Sequence, residues 1–334
     1  MSVRHNGELL GAILRSVSRT FYMSIRWLPR KLRKPVGLAY LLARATDTVA
    51  DTVEIPAPSR AEMLSTLGAA IAGKISPDAI VDLIASFAPL QKNQAERKLI
   101  ESLPDCFALL YRFDAEDRAN IRALLEKITK GQQLDISRFS NGTQPSALAT
   151  DLELHEYTYL VAGCVGEFWT RLCFRHVRDF AELLETEMLD LGKRYGNGLQ
   201  LINILRDAPL DLQAGRCYFP MQELEEAGLD PAQILREPAR FEFVLEKWQE
   251  EAERGLRAGL SYVHAIRHRR IRGATALPAL IGARTLALLR AAGPAEFHRK
   301  IKVPRSEVRA IIAQLVIAFA EQSQIETMFH RLIR

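Results

Sequence analysis

Apolar residues recur at intervals of three and four along most of the chain. Between Arg118 and Phe139 they fall at Ile121, Leu124, Leu125, Ile128, Leu134 and Ile136, the period of one buried helix face. The stretches from Glu182 to Leu205 and from Glu242 to Ile266 read the same way. A last helix is expected from Ser306 to Ile333, with Val308, Ile311, Ile312, Leu315 and Phe319 on one side. Alternating apolar and polar runs, which would mark strands, are missing. Asn141-Gly142 falls in a polar loop, Ser140 to Pro145, and not in a hairpin. Breaks near Ile55 to Ser59, Ser76 to Asp78, Cys217 to Pro220 and Gly228 to Pro231 punctuate the helices. Ser59, Ser76 and Asp114 are the candidate N-caps. No break is long enough for a linker. The expectation is a single all-α domain over residues 1–334, of about ten or more helices.

Composition narrows the class. Of 334 residues, 48% are hydrophobic and 25% charged, which sets aside disordered, collagen-like and disulfide-scaffold chains. Aromatic residues reach 7% and the net charge is +5, so neither a stacking platform nor a basic field for nucleic acid is expected. Cys106, Cys164, Cys173 and Cys217 show no Cys-x-x-Cys spacing, which fits a reducing cytosol. The first residues lack a signal-peptide core, and no unbroken apolar run reaches the roughly 18 residues of a membrane span. A cytoplasmic protein is expected, with peripheral contact at the inner membrane face left open and no transmembrane segment.

The chemistry lies in two acidic stripes. Tyr40, Arg44, Asp47 and Asp51 are spaced four, three and four on a segment, Val36 to Val53, that is otherwise apolar or small. Gln200, Asn203, Asp207 and Asp211 are spaced three, four and four on an equally oily segment, with Arg206 beside them and Gly215-Arg216-Cys217-Tyr218-Phe219-Pro220 following. Paired carboxylates on a buried helix repel and resist desolvation, so something must compensate them. Mg2+ does so, sharing its shell between carboxylates and a substrate phosphate. If the two helices face one another, they enclose a cavity with acid at its rim and hydrocarbon walls. That cavity suits a substrate with a diphosphate head and a greasy tail. A surface acidic pair or a buried salt bridge is the plain alternative for either stripe alone.

Four blocks in this order resemble the squalene/phytoene synthase family: Ser18-Arg19-Thr20-Phe21, Tyr40 to Asp51, Tyr157 to Gly166, and Leu199 to Pro220. The resemblance runs from about residue 18 to 220 and continues weakly past Pro278. It implies the all-α isoprenoid synthase fold around a central cavity. It implies Mg2+ held through Asp47, Asp51, Asp207 and Asp211. It implies Arg44, Arg206 and Arg216 on diphosphate, and Tyr157 in catalysis. Ser18, Arg19, Phe21, Tyr40, Val161, Gly166, Gln200 and Asn203 would line the substrate site. The implied reaction is head-to-head condensation of two farnesyl diphosphates to presqualene diphosphate, then reduction to squalene by NADPH. Phytoene or dehydrosqualene formation, without the reductive step, is the alternative within the family. A non-catalytic scaffold of the same fold is the alternative outside it. No Asp-Asp-x-x-Asp occurs, which sets the chain apart from head-to-tail elongases.

Several local features carry their own expectations. Pro209 lies between Asp207 and Asp211, and a helix-interior proline removes a hydrogen bond, so the helix is expected to kink or end there and displace Asp211. Ala50 stands where the family commonly has an acid. Gly163 and Gly166 fit either close helix packing or room for an isoprenoid chain. His264 and His268 have helical metal-ligand spacing, but the run to Arg272 is arginine-rich and reads as a solvated face. Gly131 to Asp135 leaves a cavity role open with a surface role favoured, and Lys300 to Arg305 reads as a solvated loop. In the family, this late region can help hold the reducing cofactor. No Gly-x-Gly-x-x-Gly marks a dinucleotide-binding turn.

Overall fold

The computed structural model describes residues 8–18, 20–139, 145–318 and 321–334. Arg19, the Asn141-Gly142 step and Phe319 lie outside these residues, as does the side chain of Phe21. The chain is all-α, with two short strands among the described residues, and it folds into two compact units: residues 1–137 with 171–176, and residues 138–170 with 177–334.

The first unit is organised by the helix Arg30–Asp51, which packs on the helices Ala57–Ala72, Gln94–Glu101 and Leu103–Tyr111. Leu38, Leu41, Leu42, Ala45 and Val49 are its buried stripe. Tyr40, Arg44 and Asp47 sit on the half-exposed side and Asp51 is exposed at the end, as the four-three-four spacing requires. The helix Ala115–Arg138 begins where Asp114 Oδ1 accepts from the backbone N–H groups of Glu116 and Asp117 at 3.1 and 2.9 Å. Asp114 is thus a cap, as expected. Ser76 also caps, accepting from Asp78 N at 3.2 Å. Ser59 does not. The helix starts earlier, at Ala57 after Pro56 as N-cap, because the fixed φ of Pro58 suits the first helical turn and Ser59 falls inside it. Buried Asp117 ties this unit together by accepting from Arg175 Nε at 3.0 Å and pairing with His176 Nε2 at 2.8 Å.

The second unit is built on a helix of 29 residues, Glu185–Gln213, packed along Glu242–Ala265. They approach so closely that a Cβ on Gly198 would lie 2.7 Å from the α-carbon of Gly255. A parallel pair of strands, Ser146–Leu148 and Arg216–Pro220, follows from this helix's end. The strands depart from the sequence expectation: three and five residues give too short an alternation to stand out.

Other expectations need correction. The helix continues through Pro209 to Gln213. The proline still forfeits its own N–H bond, but it is buried with Ala208 and Leu212, and the packing of this long helix carries it through. The expected last helix is two, Arg305–Ala318 and Gln322–Leu332. The run from His264 to Arg272 straddles a helix break: one helix ends at Ala265 and the next starts at Arg269, with His268 as its N-cap. The two histidines therefore do not share one helix face. Arg272 is buried and donates to the Ile266 carbonyl at 2.9 and 2.7 Å, closing that break. Gln132 is buried and not on the surface. Among the described residues, one helix, Arg269–Ala292, is long and apolar enough to cross a membrane by length and composition, and 67% of its apolar window is buried within the structure.

Candidate functional site

In the first unit, Arg44 Nη1 donates to Asp47 Oδ2 at 2.6 Å, and Arg44 Nη2 donates to Glu96 Oε1 at 2.5 Å. Glu96 comes from the Gln94–Glu101 helix and escapes sequence reasoning, because nothing local links it to Arg44. Burial, together with the like charge of Asp51, pushes the Asp47 carboxyl up to about 6, and Arg44 only partly opposes this. Burial also raises the Tyr40 phenol. Tyr40 donates to the Val17 carbonyl at 3.2 Å, which brings the Ser18 segment beside the acidic stripe. Ser18 is buried and donates back to Leu14 O at 2.5 Å.

In the second unit, Asp207 and Asp211 stay one turn apart because the helix runs on through Pro209. Arg206 reaches Asp207 with Nε at 3.2 Å and Nη2 at 2.5 Å. Lys300, expected to be solvated, pairs its ammonium with Asp207 Oδ1. Burial alone would raise the Asp207 carboxyl, but Arg206 and Lys300 outweigh it and hold it below its ordinary value. Asp211 accepts from Arg216 Nη2 at 2.6 Å. Its carboxyl is raised by burial, against Arg216. Asn203 donates to Gln200 at 3.3 Å one turn before, with Asn203 exposed and Gln200 half-buried.

Tyr157 stacks on Tyr218, ring centres 4.9 Å apart and planes at 24°, and their hydroxyls are 3.4 Å apart. Phe139 meets Tyr218 edge-on at 5.1 Å. In the sequence, Tyr218 stands out only as part of the Gly215 to Pro220 block. Val161 is half-exposed. A Cβ on Gly166 would collide with the Gly192 carbonyl, and one on Gly196 with that of Ala162, so these glycines let the 159–166 segment lie directly on the long helix. Close packing is the reading that the geometry supports for Gly166.

Both carboxylate pairs offer hard oxygen donors suited to Mg2+. The Asp47–Asp51 repulsion is of the kind a cation relieves. Among the described residues, no cluster of three or more His, Cys, Asp or Glu could hold a metal. Each pair could therefore supply only part of an octahedral shell, and diphosphate oxygens and water would complete it. The four cysteines are buried.

A model described as squalene/phytoene synthase matches residues 14–307. The chain belongs to that family. It is 30% identical over 230 residues to a bifunctional lycopene cyclase/phytoene synthase of Colletotrichum graminicola, covering 68% of this chain and 36% of that protein. A protein of the same description from Phaeosphaeria nodorum is 28% identical over 242 residues, 72% of this chain and 38% of that one. The chain thus spans little more than a third of the length of these curated relatives. Among solved structures, a TcSQS–ligand complex superposes with a TM-score of 0.75 at 20% identity, covering 98% of this chain and 97% of that one. A dehydrosqualene synthase complex gives 0.64 at 21%, over 95% and 97%. Squalene synthase HpnC from Alicyclobacillus acidocaldarius gives 0.60 at 18%, over 88% and 97%. The fold is that of the isoprenoid synthases.

Proposed function

We propose that the protein is a Mg2+-dependent prenyltransferase that joins two prenyl diphosphates head to head, with farnesyl diphosphate as substrate and squalene as product. The observation that carries this reading is the repeated device: an aspartate pair one turn apart on a largely buried helix, each pair held by arginine. Bound magnesium would supply charge neutralisation and leaving-group activation for diphosphate departure. Each pair would hold metal on its own helix, Asp47 and Asp51 on Arg30–Asp51 and Asp207 and Asp211 on Glu185–Gln213. Arg44, Arg206 and Arg216 are half-buried beside these carboxylates and can turn to the departing diphosphate. The Tyr157 phenol, braced by Tyr218, orients that group or takes up charge when a proton is lost. Allylic cations react with water, so the apolar faces behind each stripe must keep the reacting carbons dry. The reductive step draws hydride from NADPH, for which no residue of this chain is assigned. The same reading puts the protein in the cytoplasm and leaves peripheral contact with the inner membrane face open.

Phytoene synthesis is a second reading, favoured by the names of the curated relatives. Incubation with farnesyl or geranylgeranyl diphosphate, with and without Mg2+ and NADPH, separates them. Squalene from farnesyl diphosphate, dependent on both additions, is expected. Phytoene from geranylgeranyl diphosphate, unchanged by NADPH, would replace the first reading with the second. No Mg2+-dependent product, together with no thermal shift from Mg2+ and a farnesyl thiodiphosphate, would leave a scaffold protein of the same fold.

A further inference from the structure

Lys300 stands on an exposed segment whose two ends are fixed. At one end, Phe297 is buried and packs on Phe241 at 5.3 Å, and Phe241 meets Phe219 at 4.7 Å. Phe219 lies on the strand that carries Arg216. At the other end, Glu307 accepts from Arg284 Nε at 2.6 Å. Between these anchors, Lys300 reaches in and pairs with Asp207 Oδ1, while Arg206 takes Oδ2. Both oxygens of one carboxylate are thus engaged by cations of the protein itself. Asp211, one turn on, pairs with Arg216.

A divalent cation approaching Asp207 meets two positive charges and must displace one of them. Arg206 adjoins Asp207 in sequence and grips it through two nitrogens, so it leaves less readily. Lys300 holds it through a single, freely rotating ammonium.

We infer that Lys300 is a displaceable counter-ion of Asp207: it keeps bare metal off this carboxylate and yields when metal arrives with diphosphate. The diphosphate gives the released ammonium a new anionic partner, whereas metal alone leaves it facing a second cation. Metal and diphosphate therefore bind the Asp207 stripe together far better than either does alone. Lys300 acts through Asp207 and is a positioning residue. This inference rests on the proposed role of Asp207 as a metal ligand.

The test is calorimetric titration of the whole protein with Mn2+, with and without inorganic pyrophosphate, in the wild type and in Lys300→Met, Lys300→Arg and Asp207→Asn. Thermal melts confirm that each variant is folded. Lys300→Met should bind Mn2+ alone about tenfold more tightly than the wild type and lose most of the enhancement by pyrophosphate, because the competing charge is gone. Lys300→Arg keeps the charge and should bind Mn2+ alone no more tightly than the wild type. Asp207→Asn should lose one class of Mn2+ sites. Unchanged or weaker Mn2+ binding by Lys300→Met, with the Asp207→Asn loss intact, overturns the inference alone. Unaltered binding by Asp207→Asn overturns both the inference and the assignment of Asp207 to metal.

Discussion

Arg44 and Asp47 form an ion pair of 2.6 Å within one helix, yet the Asp47 carboxyl is pushed up to about 6. Burial and Asp51 together outweigh the guanidinium, which Glu96 also claims. The pair is therefore short of positive charge before any metal binds.

A pH dependence follows from that shortage. Between the ordinary carboxylate value and about 6, the unfolded chain has released a proton that folded Asp47 still holds, so stability falls as pH rises across this window. Asp47→Asn removes the titration. In metal-free buffer, the wild type should lose about 1 kcal/mol relative to Asp47→Asn between about pH 4 and pH 7, the side chain's 42% exposure damping the effect. Urea melts across that range check it, and a difference that does not vary with pH contradicts the raised value. Asp207, held below its ordinary value, has the opposite sign: its contribution is present above the ordinary value and is lost as pH falls.

Gly198→Ala should cost about 1–3 kcal/mol, because the new methyl would sit 2.7 Å from the Gly255 backbone and two long helices would have to part. Gly11→Ala, with nothing within 4 Å, is the control, expected to be neutral or stabilising by up to about 1 kcal/mol. Denaturant midpoints of the two variants report the contrast.

Arg272→Met should cost about 2–3 kcal/mol by leaving the Ile266 carbonyl without its charged donors in a buried helix break. Arg270→Met, on an exposed residue of the same basic run, should stay within about 0.5 kcal/mol of the wild type. Equal melting temperatures for the two variants would mean that the run is a solvated face after all.

Tyr218→Phe keeps the ring that stacks on Tyr157 and should cost under about 1 kcal/mol, whereas Tyr218→Ala should cost about 3–5 kcal/mol. If Tyr157 acts through an orientation set by that stack, product formation falls with Tyr218→Ala and survives Tyr218→Phe. Steady-state rates beside melting temperatures separate the ring's effect from the hydroxyl's.

Much of this is legible in the chain alone. Helical period places Tyr40, Arg44, Asp47 and Asp51 on one stripe of a buried helix, and Gln200, Asn203, Asp207 and Asp211 on another, because side-chain direction within a helix follows from spacing. Local rules fail where a longer context prevails. Pro209 has the local signature of a stop, but the packing of a 29-residue helix along its length outweighs the bond it loses. Ser59 has the chemistry of a cap, but Pro56 holds that place and Pro58 sets the first turn before it.

The partners of the charged stripes belong to a different order of information. Glu96 is 52 residues from Arg44, and Lys300 lies on a segment far from Asp207 that reads in isolation as solvated. The sequence by itself determined the helices, their buried faces and the alignment of each acid pair, since those depend on neighbours within a turn or two. Only the tertiary structure decided which cations neutralise which acids and how near Gly198 comes to Gly255, because charge pairing and close packing act through space and leave no mark on local spacing.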